Sequence, residues 1–413
     1  MKILWFTNIP LPGHSGAASH SVKTSGGWML ALLEELQTHV NYKLAVATVG
    51  KINRVIHRCV DNVDYFIVPQ HKHLFGRAAL DQNLDNCNSI IRKWKPDVIH
   101  IHGTERFYGL LSARQYSSVP TVISLQGLLG PYSQWQHYFG NRSLQDIMRM
   151  HRLLELPLLR GQWAGFRQYR RAARREREII EGNRFFMGRT AWDRAYLLAV
   201  NPEARYFHAG ELLRQSFWKA RWELNAVQRH RIVVSGAGHP RKGVETLLDA
   251  ASLLQHDFSD VQVGIMGWIS KKSGYGRYIR RHINGMHGLV AELGQLNAEE
   301  ISIELARSHV FASPSFIDNS PNAVCEAQLL GMPVLSTYTG GVPSLIEEGE
   351  TGLLFPPGDA PMLAARLRQV FEDDALAVDL GKQSHVIASR RHDPESVVRQ
   401  VLAAYEDVFL QSM

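Results

Sequence analysis

Ser313-Pro314-Ser315-Phe316-Ile317-Asp318-Asn319-Ser320-Pro321-Asn322-Ala323-Val324-Cys325-Glu326-Ala327-Gln328-Leu329-Leu330-Gly331-Met332-Pro333 reads as strand end, loop, capped helix and turn. Val310, Phe311 and Ala312 close a strand. Ser320 is a good N-cap, and Pro321 suits the first helical position, where no backbone donor is needed. Gly331 can adopt the left-handed conformation that ends a helix, and Pro333 cannot continue one. Residues 333–337 then read as the next strand. A βαβ unit of this kind puts residues 319–323 at the carboxyl edge of a parallel sheet, where such folds bind ligands. Backbone N–H groups at the helix start attract anions, phosphates above all. Glu326 lies four residues after Asn322, on the same helix face. A carboxylate would repel a phosphate, so a hydroxyl-rich group such as a ribose is the better partner for it. The stretch reads equally well as a plain helix start with a solvated glutamate.

A second constellation joins another strand to another helix: Gly236-Ala237-Gly238-His239-Pro240-Arg241-Lys242-Gly243. It is no Walker A loop, because Val244 follows Gly243. It still sets glycines, two cations and a helix N-terminus side by side. That combination favours a diphosphate and would stabilise one as a leaving group. The competing reading is a basic turn. Two weaker loops accompany these. Gly26-Gly27 opens a helix after the first strand and lets backbone approach a ligand closely. Gly294-Gln295-Leu296 follows a segment with strand character and could read a nucleotide base; by themselves both are ordinary turns.

Apolar strands and helices alternate along the chain. Strands are expected at 3–7, 42–49, 65–68, 120–125, 185–187, 205–208, 231–235 and 261–266, and residues 96–105 read as a strand followed by a loop, with helices between the strands. The pattern argues an α/β fold with parallel sheets. Residues 215–230 are polar, spotted with aromatics and less regular, and the pattern restarts at Arg231. The expected organisation is an amino-terminal Rossmann-like domain at 1–214, a linker at 215–230, a second Rossmann-like domain at 231–393, and a terminal helix at 394–413 packing back on the first domain.

With 413 residues, 45% hydrophobic and 21% charged, the chain suits two globular domains and excludes disorder. No apolar run reaches the roughly 18 residues of a membrane span, and the first ten residues are strand-like rather than a signal peptide. Cys59, Cys87 and Cys325 are scattered, which suggests a reduced, cytoplasmic protein. The net charge of +7 has one source. Residues 142–189 hold twelve arginines against five acids, so the remainder is neutral. Leu153, Leu154, Leu158, Leu159, Trp163 and Phe166 lie among those arginines, and the mixture suits an anionic membrane surface, with peripheral attachment at the inner face. A solvated helix face is the alternative. No recognised nucleic-acid-binding motif accompanies the charge.

Taken in order, Lys242-Gly243, Gly294-Gln295-Leu296, Ser313-Pro314-Ser315, the pair Asp318 and Glu326, Gly331-Met332-Pro333-Val334, Gly340-Gly341-Val342-Pro343 and Gly352-Leu353-Leu354-Phe355 resemble the family 4 (group 1) retaining glycosyltransferases. That family has the GT-B fold, two Rossmann-like domains facing each other across a cleft. Residues 99–105 and 188–194 are similar to a subgroup that builds bacterial surface polysaccharides. The resemblance implies roles. Lys242, with Arg241 beside it, would hold the donor diphosphate, with His239 in the same loop. Glu326 would bond the ribose hydroxyls, and Asp318 a sugar hydroxyl. The backbone of Asn319, Ser320, Asn322 and Ala323 would cradle phosphate. Gly26 and Gly27 would face it from the other domain, and Gly294, Gln295 and Leu296 would contact the base. His102, Glu105 and Gln126 would meet the acceptor. The substrate would be a UDP- or GDP-linked sugar, the acceptor a glycan or lipid-linked saccharide, and no cofactor or metal is called for. Three positions depart from the family: Asp318 stands for the first of two glutamates, Ala237 for an arginine, and Gln126 for a histidine.

His100 and His102 alternate on one strand and share a face, yet no ligand set accompanies them, so a core or cleft role fits better than a metal. Two other functions stay open on these residues: a sugar-nucleotide epimerase, and a non-catalytic protein that binds sugar nucleotides for an assembly.

Overall fold

A computed structural model describes residues 1–15, 26–71, 77–150, 161–286 and 288–411. The chain divides into two compact units. The first comprises Met1–Gly130, Ala172–Leu212 and His392–Met413; the second comprises Pro131–Arg171 and Leu213–Arg391.

The first unit is built on β1 (Lys2–Thr7), β2 (Lys43–Gly50), β3 (Ile56–Val60), β4 (Val63–Pro69), β5 (Val98–His102), β6 (Thr121–Ser124), β7 (Phe185–Gly188) and β8 (Arg205–His208). Their order is β3-β4-β2-β1-β5-β6-β7-β8, and every pairing but β3–β4 is parallel. Side chains alternate across the sheet with period two. Leu4 and Phe6 of β1 therefore join one core, while Ile3 and Trp5 join the other. The second of these cores is closed by the Gly27–Gln37 helix and by the Pro394–Leu410 helix, whose Val397, Val401 and Tyr405 are buried. Strand β3 was not foreseen. It forms a hairpin with β4 through Asp61 and Asn62, both at positive φ, a turn those residue types tolerate.

The second unit holds β9 (Gln228–Ser235), β10 (Gln262–Met266), β11 (Val290–Gly294), β12 (Ser308–Ser313), β13 (Val334–Thr337) and β14 (Leu353–Phe355). All are parallel, in the order β11-β10-β9-β12-β13-β14. This is the 3-2-1-4-5-6 order of a doubly wound Rossmann sheet, with its reversal between β9 and β12. The expected stripe of Val244, Leu247, Leu248 and Ala251 is buried on the Val244–Leu254 helix.

Two expectations on chain organisation need correction. Residues 215–230 are no loose linker. They carry the Gln215–Lys219 helix and the start of β9, with Phe217 and Trp222 buried in the core of the second unit. The Trp222 indole donates to the Ser308 carbonyl at 2.8 Å. Residues 131–171 also cluster with the second unit, although they precede position 214. Their aromatic side chains make a satellite core of Trp135, Tyr138, Phe139, Trp163 and Phe166. The link to the rest of the second unit runs through Tyr138, whose ring stands edge-on to His239.

Candidate active site

In a doubly wound sheet, ligands settle outside the carboxyl ends of the strands where the order reverses. In the second unit that point lies between β9 and β12. The loops leaving those two strands are the Gly236–Gly243 loop and the 314–321 loop, the two constellations singled out by sequence.

The loop after β9 turns through Gly236 (φ 88°), makes a 3-10 turn over Pro240–Lys242, and enters the Val244–Leu254 helix through Gly243 (φ 62°). A Cβ on Gly243 would drive into the Pro314 carbonyl, so glycine here serves both the left-handed backbone and the close approach of the two loops. The Phe316 N–H donates to the Arg241 carbonyl at 2.8 Å and ties them further.

That docking brings Lys242 to Asp318: Nζ donates to Oδ2 at 2.6 Å. Burial pushes the Asp318 carboxyl up, but the Lys242 and Arg241 charges, with hydrogen bonds from Lys242 and the Asn319 backbone, outweigh it and hold it below the usual range. Asp318 is thus a carboxylate that neutralises and orients the lysine. Its reach, shorter than a glutamate's, is used on Lys242.

The helix after the second loop spans Asn322–Leu330 and begins one residue later than expected. Pro321 is the N-cap residue, and no side chain caps the start, so Ser320 lacks the capping role given to it. Proline is accepted there because its carbonyl receives the first helical N–H, from Val324 at 2.9 Å, and its missing donor is not needed. The far end behaves as expected. Gly331 is left-handed (φ 81°), and the Met332 N–H reaches the Ala327 carbonyl at 3.3 Å.

Glu326 lies in the second turn of this helix and is 6% exposed. Its carboxylate meets a partner that sequence reasoning missed, Arg214, through Nη2 at 2.6 Å and Nε at 3.1 Å. No motif marks Arg214; its position just before the Gln215–Lys219 helix is the only local signal.

His239 accepts the Arg241 N–H on Nδ1 at 3.1 Å. Burial, then the Arg241 and Lys242 charges, push its pKa down to about 3, so the ring is neutral. With Nδ1 accepting, the proton sits on Nε2, which is buried and meets no hydrogen-bond partner among the described residues. Gly294 ends β11 at φ 70°, and a Cβ there would meet nothing within 4 Å, so conformation rather than crowding favours glycine. Gln295 and Leu296 follow it in the loop before the Ala298–Ala306 helix.

The first unit has its own reversal, between β1 and β5. Gly26 (φ 92°) caps the Gly27–Gln37 helix without a side-chain bond, and a Cβ on it would strike Ile9. Residues 16–25 lie outside the described residues. Glu105 folds back beside Gly103 (φ 95°), and Asn8 Nδ2 donates to its Oε2 at 2.5 Å. Burial, with help from the Glu176 charge, raises Glu105 to about 7 despite opposing contacts from its own backbone, Asn8 and Arg175. Gln126 lies just past β6 and is half-buried.

His102 is different from the expectation. It is fully buried, with its ring 4.4 Å from Trp5 and 3.9 Å from His100. A side chain so enclosed offers no surface to an acceptor. His100 is also core: the Tyr405 hydroxyl meets its Nδ1 and Ser124 its Nε2, each at 2.6 Å. Burial pushes both histidines down, His100 to about 3. Among the described residues no cluster of three His, Cys, Asp or Glu side chains is placed to hold a metal ion.

Two parallel-sheet Rossmann-like units, the second of 3-2-1-4-5-6 order, are the components of the GT-B fold. Solved structures agree. The chain superposes on sucrose-phosphate synthase from Thermosynechococcus elongatus with a TM-score of 0.74, at 19% identity over 99% of both chains. It superposes on the Anabaena protein HepE, solved with UDP-glucose, with a TM-score of 0.68, at 16% identity over 98% of this chain and 100% of that one. Residues 229–373 match the family described as "Glycosyl transferases group 1", and this segment is a domain of that family, similar to the family 4 enzymes. Among curated relatives, the chain is 25% identical to the sulfoquinovosyl transferase SQD2 of Arabidopsis thaliana over 300 residues, 71% of this chain and 53% of that protein. The chain spans about half the length of the curated relatives it matches first.

Proposed function

We propose that the protein is a retaining glycosyltransferase that moves a sugar from a nucleoside diphosphate to a hydroxyl of a glycan or lipid-linked saccharide, in surface-polysaccharide synthesis. The observation that carries this reading is the Lys242–Asp318 contact. It puts an oriented ammonium, with Arg241 beside it, at the strand-order reversal of a group 1 domain. The bond from the sugar's anomeric carbon to the diphosphate oxygen breaks, and a bond from that carbon to the acceptor oxygen forms. The acceptor's proton leaves with the diphosphate. Negative charge grows on the departing diphosphate, and Lys242, Arg241 and the His239 N–H are the donors placed to stabilise it. Glu326 receives the ribose hydroxyls and Asp318 keeps Lys242 in place. The backbone at Asn319, Ser320, Asn322 and Ala323 takes phosphate, and Gly294, Gln295 and Leu296 take the base. Gly26 and Gly27 belong with the donor-binding groups, and Glu105 and Gln126 serve the acceptor. The donor is a UDP- or GDP-linked sugar.

A membrane-borne acceptor is supported by the Gln162–Glu181 helix. Arg167, Arg170, Arg171, Arg174 and Arg177 are exposed on it at helical spacing. Leu144 and Met148, 61% and 55% exposed, stand on the Leu144–Met150 helix four residues apart. Trp163 and Phe166 pack in the aromatic cluster instead, and Leu153, Leu154, Leu158 and Leu159 lie outside the described residues. No described helix is long and apolar enough to cross a membrane.

The test is to incubate the purified protein with UDP- and GDP-sugars. Release of nucleoside diphosphate, stimulated by a saccharide acceptor, supports transfer. Interconversion of the sugar without acceptor identifies an epimerase, and donor binding with no turnover identifies an assembly protein. Flotation with anionic vesicles at low salt tests the surface, and absence of binding removes it.

A further inference from the structure

The loop expected to grip the diphosphate is held from behind by residues that lie far upstream. The Arg241 guanidinium lies over the Tyr132 ring, 4.4 Å from its centre, and the Tyr169 phenol lies close to the same side chain. The His239 ring stands edge-on to Tyr138 at 4.7 Å. Gly140 (φ 64°) lets the upstream segment press onto the loop: a Cβ there would sit 2.5 Å from the Pro240 carbonyl oxygen. One residue pair beyond, Arg142 approaches Glu245 at 3.5 Å, and Glu245 is wholly buried in the first turn of the helix that follows the loop. Tyr275 donates to the same carboxylate at 2.8 Å. Every one of these groups belongs to the second unit.

A guanidinium out of water loses hydration and settles where an aromatic face and an acceptor replace it. Tyr132 is 7% exposed and Tyr138 3%, so the rings are fixed by packing and cannot drift to follow the arginine. They therefore choose its rotamer. The family's usual arginine position, 237, is a fully buried alanine here and can offer no charge. The second cation of the loop must come from Arg241, and its direction is set by Tyr132 and Tyr169.

Resting on the donor reading above, we infer that Tyr132, Tyr138 and Tyr169 are positioning residues for the donor diphosphate. Tyr132 and Tyr169 aim Arg241, and Tyr138 aims the His239 Nε2–H, so these three rings supply the rear half of the phosphate grip.

The experiment compares the affinity of full-length protein for UDP, GDP and the unphosphorylated nucleosides by calorimetry, in wild type and three variants. Tyr132→Leu removes the aromatic face and should weaken diphosphate binding roughly tenfold, the range of a partly desolvated cation–π contact. The same variant should leave nucleoside binding unchanged. Tyr132→Phe keeps the face and should bind diphosphate as wild type does. Tyr169→Phe removes only the hydroxyl and should show a smaller loss, again confined to the diphosphate. Equal diphosphate affinity in Tyr132→Leu and Tyr169→Phe overturns the inference, as does an equal loss for nucleoside and diphosphate, which marks a merely structural role. Wild type that binds neither diphosphate overturns the donor reading itself.

Discussion

Arg214 spends both Nε and Nη2 on one oxygen of Glu326, Oε1, at 3.1 and 2.6 Å. The same guanidinium lies 4.7 Å from the Phe217 ring centre, so it is fixed on two sides. An acid expected to receive ribose hydroxyls is thereby held in one rotamer, and its charge is offset before a diphosphate arrives nearby.

Replacing Arg214 by alanine should lower nucleotide affinity about tenfold and cost about 1–2 kcal/mol of stability, because a nearly buried carboxylate loses its cation. A double-mutant cycle with Glu326→Gln, read by calorimetry, should show strong coupling. Additive losses would separate the two residues.

Lys242→Ala should reduce turnover by roughly 10²–10³, the scale for loss of one donor to a developing anion. Asp318→Asn keeps the lysine but removes the charge that neutralises it. It should bind product diphosphate more tightly and turn over more slowly. Asp318→Glu should retain most of the activity. Steady-state kinetics with product inhibition checks all three, and an Asp318→Asn enzyme with wild-type kcat would detach the pair from catalysis.

Stability of the first unit should fall as pH rises from about 4.5 to 7. Glu105 has its pKa raised to about 7, so in that window the folded state binds the proton and the unfolded state does not. Its contribution is complete below the unfolded pKa and is lost through the folded one, at about 1.4 kcal/mol per unit of separation. Urea melts across this range should flatten in Glu105→Gln. An unchanged slope would show that the carboxyl is already ionised.

Gly243→Ala should destabilise the second unit by at least about 2 kcal/mol. The left-handed backbone costs about 1 kcal/mol for any side chain, and displacing the Pro314 carbonyl adds more. A lowered urea midpoint with an unchanged m value would confirm it. Nucleotide affinity should fall in the same variant, since the two loops would part.

What could be read from the residues was what depends on near neighbours. Alternation on β1, the Val244 stripe, the Gly331 stop and the two loops after β9 and β12 all follow from spacing within a few residues. Arg241, Lys242, Asp318 and Glu326 could be proposed together because strand-to-helix loops fall at one sheet edge by topology. Arg214 escaped because its value lies in a partner 112 residues away. The upstream aromatics escaped for the same reason. Tyr132, Tyr138 and Tyr169 carry no period that distinguishes docking on one unit from docking on the other. His102 was placed at the acceptor by its strand-end position, and only packing shows that Trp5 and His100 enclose it. The β3 hairpin was hidden because its strand is exposed on both faces and so lacks an apolar signature.

The interleaving of the two units along the chain sets an order of completion during synthesis. The second unit is whole once Arg391 has left the ribosome, because no described residue after it belongs to that unit. The first unit must wait for the Pro394–Leu410 helix, which supplies Tyr405 to Trp5 at 3.0 Å and to His100. The half that begins to emerge first is therefore finished last. Until then the face of β1 and β5 that Tyr405 covers is open, and a nascent chain stalled before residue 394 would carry a finished second unit and an unsealed first one.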